Sequence, residues 1–307
     1  MGLRARLAAL ADKNDVVYSF VTTPAAWFSA AVLVVLVAAA LLAPWLSSVN
    51  PFDLGSLDVT DAHLPPAWTE EGDARFWLGT DDQGRDLWSA ILYGLRLSLS
   101  ISLVSVALSI VIGVGLGVTA GFAGGWIDTV LMRVCDVMLS FPAILVALLA
   151  DGILRSAFPG TAHESVAYFV LIFAITLSGW VPYARTVRGL TLVEKGKEFV
   201  MAAELIGEKK LTVMRRHILP NVLGPVFVLA AVNVATAVMT EATLSFLGVG
   251  VPPTTPSLGT LIRIGNDYLF SGEWWICIFP GIVLIAVVLA VNLLGDWLRD
   301  AVNPGLQ

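Results

Sequence analysis

The chain has 307 residues, a net charge of −6, 57% hydrophobic residues, only 14% charged ones and a mean hydropathy of +0.82. Soluble folds run at about 45–50% apolar and about 25% charged, so this composition excludes one and requires lipid as part of the solvent. The acidic balance, with a pI near 5.0, also argues against a nucleic-acid binder, which needs a basic stripe facing phosphates.

The first uncharged run extends from Val16 to Phe52, and its densest part, Trp27 to Leu46, is a predicted transmembrane helix. Its apolar stretch of 20 residues exceeds the roughly 7–15 of a signal peptide, so an uncleaved span is expected. The segment 47–93 follows. Its Trp68, Trp77 and Trp88 suit an interfacial or partner-facing surface, and a turn feeding an amphipathic helix from Arg85 to Leu95 is expected. Asp81, Asp82 and Asp86 meet no metal-ligand spacing.

The second span is predicted at about Leu97 to Gly117, with a glycine-rich exit through Gly121, Gly124 and Gly125. Gly113, Gly117 and Gly121, four apart, line one face and suit close helix packing, with or without a role in motion. The loose dinucleotide fingerprint Gly115-Leu-Gly117-Val-Thr-Ala120 sits inside this apolar run and reads as packing too. Val137 to Ala150 has only 14 residues, so a third span must include or abut Asp136 and Asp151. Ser165 to Ala184, His217 to Thr240 and Trp274 to Gly295 give the fourth, fifth and sixth spans. Ala242 to Ile262 is long enough but holds Pro252, Pro253 and Pro256 with three glycines, and is read as a loop. Pro225 and Pro280 can kink the last two spans.

Orientation follows the Lys/Arg bias of loops. The segment between spans four and five holds 8 of the 18 basic residues and is expected in the cytoplasm. The segment 47–93 carries nine acids against Arg75 and Arg85 and is expected outside. With six spans both termini are then cytoplasmic, which suits Arg4, Arg6 and Lys13. The expected organisation is therefore a cytoplasmic N-terminus at 1–26, a first helix at 27–46, an external segment at 47–93, a five-helix core at 94–298 and a cytoplasmic C-terminus at 299–307.

Within the cytoplasmic loop 189–220, Phe199, Ala202, Ala203 and Ile206 recur at helical spacing on one face, with Glu198, Glu204 and Glu208 around them. Gly207 is a good terminator, and Leu211 to Ile218 leads as a second helical stretch to Pro220. Two readings stay open: an amphipathic helix lying on anionic lipid, or a rigid knob inserted into a partner. Ionisable groups at membrane depth point to a pathway, because burial there is costly unless they face water or a partner. Asp136 and Glu241 are the candidates. The alternatives are pairing of Asp136 with Arg133, and Glu241 orienting the glycine–proline segment after it. Asp151 and Arg155, four apart, read as a surface pair.

Met201-Ala202-Ala203, three residues, Gly207, nine residues and His217-Ile218-Leu219-Pro220 resembles the EAA loop of ABC-importer permeases, whose pattern is Glu-Ala-Ala, x3, Gly, x9, Ile-x-Leu-Pro. Met201 stands where Glu is usual and His217 where Ile is usual. Three further stretches narrow the resemblance: Leu78-Gly79-Thr80-Asp81-Asp82-Gln83-Gly84-Arg85-Asp86; Glu241 to Pro253 with Pro256-Ser-Leu-Gly259; and Phe279-Pro280-Gly281 with Asn292 to Asp300. Together they resemble the C-type permease of dipeptide/oligopeptide (and nickel) importers. The resemblance implies an all-α membrane protein of six transmembrane helices with the type I ABC-importer permease fold. It also implies a second permease subunit, two ATPase subunits or domains that carry ATP and Mg, and an extracytoplasmic binding protein. The helix from Glu198 to Gly207, with Leu219 and Pro220 behind it, would be the ATPase-docking element.

No Walker A loop, HExxH or GxSxG occurs in the chain, so no cofactor and no enzyme activity of its own are expected. Cys135 and Cys277 form no disulfide framework or metal-ligand pattern. Two rival readings differ in class or cargo. An ion-coupled secondary transporter would centre on Asp136, but no inverted repeat is evident. A permease for nickel would need ligands along the path, whereas His63, His163 and His217 lie outside the predicted spans or at their edge.

Overall fold

The computed structural model describes residues 15–47, 49–53, 55, 57–157 and 163–302. The helices are α1 (Asp15–Thr22), α2 (Pro24–Leu41), α3 (Ala43–Leu46), α4 (Leu87–Ala123), α5 (Gly125–Ser140), α6 (Ala143–Ala157), α7 (His163–Lys195), α8 (Glu198–Leu205), α9 (Lys210–Val213), α10 (Leu219–Phe246), α11 (Leu258–Tyr268) and α12 (Trp275–Val302). Among the described residues there is no β-strand, only an isolated bridge between Thr80 and Asp86. Among the described residues five helices are long and apolar enough to cross a membrane, and α5 with α6 supplies a sixth span if the bent pair is counted as one. An all-helical answer is what lipid demands, since a helix satisfies its own backbone groups.

Five predicted elements differ in the structure. The short amphipathic helix and the second span are one helix of 37 residues, α4. Asp86 caps its start, accepting from the Ser89 N–H at 3.0 Å, and nothing from Leu87 onward breaks it before Gly124, whose φ is +65°. At about 1.5 Å per residue α4 is about 55 Å long, so it projects beyond the hydrocarbon. The third span is two helices bent by 93°. Pro142 stands at the break, where its missing N–H and its ring both oppose a straight helix. The first predicted span also breaks, at Leu42, with Pro44 starting the short α3. Finally, residues 242–262 are only partly loop: α10 runs to Phe246, and α11 begins at Leu258 under an N-cap from Ser257. The proline cluster ends one helix and leads into the next.

The axis of the bundle is the pairing of α4 with α7. A Cβ on Gly113 would lie 2.6 Å from the Trp180 carbonyl oxygen. One on Gly117 would lie 2.6 Å from that of Ala184, and one on Gly121 2.9 Å from that of Arg188. The glycine face read from the sequence is therefore a backbone-to-backbone seam. Lipid provides no hydrophobic drive between helices, so such close approach supplies the packing attraction instead. Around the seam, Val118, Phe122, Val187, Val222 and Val226 fill the end carrying the 189–220 loop, and Leu87, Leu95, Val238, Leu261 and Ile276 fill the other. α2 leans on α12 from outside and exposes Phe28, Val34, Val35 and Leu41, as a lipid-facing helix does.

Gly117→Ala should force α4 and α7 apart and lower the melting temperature of the solubilised protein, by the equivalent of about 1–3 kcal/mol of overpacking. Gly115→Ala is the control, because nothing lies within 4 Å of its added methyl. Equal stability of both variants would mean that the seam does not hold the fold.

Candidate functional site

The 189–220 loop folds into a compact projection. Lys195, at the end of α7, donates to the Phe122 carbonyl at 2.8 Å and stands over the Phe122 ring, tying the loop's start to the end of α4. α8 follows, with Lys197 at its N-cap. Its last turn closes in a full Schellman pattern: the Glu208 N–H donates to Ala203 O at 3.1 Å and the Gly207 N–H to Glu204 O at 3.0 Å. Gly207 has φ +85°, the left-handed conformation that favours glycine there. The predicted terminator thus has its physical reason.

The predicted helix face is mostly outward, with Ala203 at its buried edge. Val200 and Ala203, three apart, are the residues α8 buries, against the cluster of Val213, Ile218 and Val222. Phe199, Ala202 and Ile206, expected on that face with Ala203, are exposed. A two-turn helix has one narrow packing edge, and Val200 takes it. What remains outward is apolar: Leu205 is 88% and Ile206 83% exposed, with Phe199, Met201 and Ala202 beside them and Glu198 and Glu204 alongside. Met201 therefore adds apolar surface where the usual pattern has a carboxylate. His217 contacts Glu208 at 3.2 Å and lies near the Phe199 ring, so it braces the cap of α8.

Behind α8, α9 passes through a π-helical turn, Met214–Ile218, directly into α10. Pro220 has no N–H for the carbonyl four residues back, and the wider turn relieves the clash of its ring. Leu219 is half-buried and Pro220 exposed at this junction, where α10 leaves the loop.

The two pathway candidates have structural partners. Asp136 on α5 pairs with Arg185 on α7, and Arg133 is a second partner at 3.8 Å. One pairing was legible in the sequence and the closer one was not. A second clasp joins the same helices: Arg188 holds Asp128 through both oxygens at 2.5 and 2.6 Å. Glu241, near the end of α10 beside the glycine–proline loop, is 0% exposed. Ser245 donates to it at 2.7 Å, and the hydroxyls of Ser98 and Ser257 surround it. Ser257 caps α11, so Glu241 joins α4, α10 and α11 behind the glycine–proline loop. Asp151 is buried; the Arg155 side chain and most of the connection after α6 lie outside the described residues.

At the end of the bundle away from the loop 189–220, the Leu78–Asp86 motif meets the glycine–proline loop. Arg85 is 0% exposed, donates to Asp81 at 2.6 Å and to the Pro253 carbonyl at 2.5 Å. Trp275 donates to the Thr80 carbonyl at 3.1 Å, and His63 contacts Glu273 at 2.6 Å. Two sequence motifs far apart in the chain are thus one cap.

A cavity of about 250 Å³ opens between α4, α5, α7 and α10. Its polar wall is Ser109, Ser178, Tyr183, Asn233, Thr236 and Thr240, and its apolar wall includes Met138, Leu139 and Phe141 at the Pro142 break. Neither Asp136 nor Glu241 lines it. On α4, Ser98, Ser102, Ser105 and Ser109 recur every three or four residues and are all buried, and the last of them reaches the cavity.

Comparison with known proteins fits this architecture. Residues 113–307 match the family described as binding-protein-dependent transport system inner membrane component, and residues 14–66 match the N-terminal transmembrane domain of oligopeptide transport permease C. The chain belongs to this permease family. Among its relatives are the dipeptide transport system permease protein DppC of Haemophilus influenzae, 35% identical over 87% of this chain and 86% of that one, and the di/tripeptide permease of Pseudomonas aeruginosa, 37% identical over 90% and 86%. A putative peptide transport permease of Brucella suis is 41% identical over the same shares, 90% and 86%. The permease fold also matches a chain of the MetNI methionine ABC transporter in an inward-facing conformation, with TM-score 0.55 and 20% identity over 69% of this chain and 96% of that one. This permease has the type I importer fold.

Burial and the neighbouring charge of Asp81 hold the Asp82 carboxyl in the cap above its ordinary value, despite Arg85 and His63. Folding therefore binds a proton more tightly at Asp82, and stability falls as pH rises from about 4 through that raised value. Asp82→Asn should raise the melting temperature at pH 7, with the gain disappearing below about pH 4. A loss of stability at pH 7 would show that attraction to Arg85 outweighs burial.

Proposed function

We propose that this permease is one membrane-spanning subunit of an ATP-driven importer of dipeptides or oligopeptides, contributing half of the translocation pathway. A second permease supplies the other half, and two ATPase subunits carrying ATP and Mg bind on the cytoplasmic side. An extracytoplasmic binding protein delivers the peptide. Both termini and the loop 189–220 face the cytoplasm, in keeping with its eight basic residues, and the acidic segment 47–93 faces outside. The membrane is the bacterial inner membrane, as the relatives' source and the family description suggest.

One observation carries the docking part of this reading. α8 buries a single edge in its own protomer, is locked by a glycine cap, and turns Phe199, Met201, Leu205 and Ile206 to solvent. So exposed an apolar tip on so short and rigid a helix is costly without a partner groove to cover it. A helix lying on lipid would instead array basic residues beside its apolar face, whereas α8 carries Glu198 and Glu204. The peptide part rests on the relatives' names and on the sequence motifs.

The test is affinity purification of the tagged chain from gently solubilised membranes, followed by peptide uptake in vesicles. The expected result is co-recovery of a second permease and ATPase subunits. Leu205→Glu or Ile206→Glu should lower ATPase recovery about tenfold or more while the second permease stays bound. Both side chains are exposed, so these variants spare the fold, whereas Ala203→Glu attacks the buried edge itself. Recovery of the wild-type chain alone, or ATPase retention by both variants, would overturn the docking reading.

A further inference from the structure

We infer that the cavity between α4, α5, α7 and α10 is a neutral binding site for the amide backbone of the transported peptide, blind to the charge of its side chains. The inference rests on the importer reading and adds the chemistry by which this subunit meets its cargo.

Three observations carry it. The cavity lies at mid-depth: Asn233 and Thr236 occupy the middle of α10, and Tyr183 sits on α7 beside the glycine seam. Its lining has hydrogen-bonding groups and no ionisable carboxylate, amine or guanidinium. The ionisable side chains that adjoin the lining in sequence stand outside it: Asp136 and Arg185 pair with one another, and Glu241, next to Thr240, is buried and accepts from Ser245. The third observation concerns unspent capacity. Ser178 and Thr240 return their hydroxyls to their own helix backbones, but Ser109 and Thr236 make no such bond. The Tyr183 hydroxyl is buried with no hydrogen bond of acceptable geometry, and its polar neighbour is the Asn233 side chain.

A buried hydroxyl without a partner is costly, and in a membrane helix the cost is not recovered from solvent. Such a group aimed at a cavity wall is poised for a ligand that brings donors and acceptors of its own. Peptide amides do so at every residue, whatever the side chain. A charged wall would hold oppositely charged peptides too tightly to release and repel the others, whereas weak neutral bonds to the backbone treat all peptides alike and let them leave. The apolar wall of Met138, Leu139 and Phe141 offers contact to side chains without a hydrogen-bond requirement.

The experiment uses the complete transporter in proteoliposomes and three labelled dipeptides, Ala-Ala, Ala-Lys and Ala-Glu. Each is tested with wild type, Tyr183→Phe and Thr236→Val, and binding-protein-stimulated ATP hydrolysis is read alongside. Tyr183→Phe removes the hydroxyl beside Asn233 and keeps the ring, so a purely structural role leaves transport unchanged. The expected result is a fall in transport of about three- to tenfold for all three peptides equally, the loss of about one hydrogen bond, with ATP hydrolysis retained. Unchanged transport in both variants would overturn the inference, as would a loss confined to one charge class. If one variant fails to assemble, the other decides. Failure of the wild-type complex to transport any of the three peptides would instead sink the importer reading, and this site with it.

Discussion

The close approach of α4 to α7 is the constraint on which the rest depends. In lipid the apolar faces of two helices gain little from each other that the acyl chains do not already provide, so contact at backbone distance must do the work. Gly113, Gly117 and Gly121 permit it, and Ser109 continues the line toward Gly179. With that seam fixed, α7 presents Arg185 and Arg188 to α5, and its last residue, Lys195, reaches the end of α4. α8 then emerges from a rigid base. The same seam sets the rear wall of the cavity, since Ser109, Ser178, Gly179 and Tyr183 come from these two helices. Widening it would loosen the clasp, the projection and the cavity together.

The spans, the loop and the family motifs were legible because each rests on a local rule. Apolar length marks the spans, and Gly207 marks the end of α8. The glycine face was legible as a pattern, though not its partner helix. What escaped the sequence depends on which residue wins a competition in three dimensions. Val200 and Phe199 compete for the one buried edge of α8, and hydropathy ranks them alike. Arg133 and Arg185 compete for Asp136, and only the fold brings Arg185 near. Prolines misled in the opposite direction, because a cluster that forbids a span still allows α11 to start at Leu258.

Polar groups in this protein are sorted by depth. Ion pairs sit toward the two ends of the bundle: Arg85 with Asp81 in the cap, and Asp128 with Arg188 and Asp136 with Arg185 toward the loop 189–220. Between them the polar groups are neutral, chiefly buried serines and threonines with Tyr183 and the half-buried Asn233. Coulomb energies grow as the dielectric falls, so a charge at mid-depth would dominate whatever passed it. Hydroxyls and amides provide polarity there without that dominance. Glu241 shows the rule at its boundary: a carboxyl carried furthest from the loop end of α10 is fully buried among three serine hydroxyls.

Under the importer reading, the geometry also limits how a push on α8 can reach the pathway. Through Val200 and Ala203, α8 rests on Val213 and Ile218, which belong to the segment running without a break into α10. The π-helical turn at Met214–Ile218 accommodates Pro220 and keeps the segment continuous rather than hinged. α10 then carries Asn233 and Thr236 into the cavity and Glu241 into the knot with Ser98 and Ser257. A displacement of the docking helix must therefore either move this wall of the cavity or strain the knot at its far end. The opposite wall behaves differently, because Met138, Leu139 and Phe141 adjoin the 93° bend at Pro142, with α5 clasped to α7 on one side only. One wall is thus carried by an unbroken helix and the other adjoins a bend, while the α4–α7 seam holds the rear of the cavity between them.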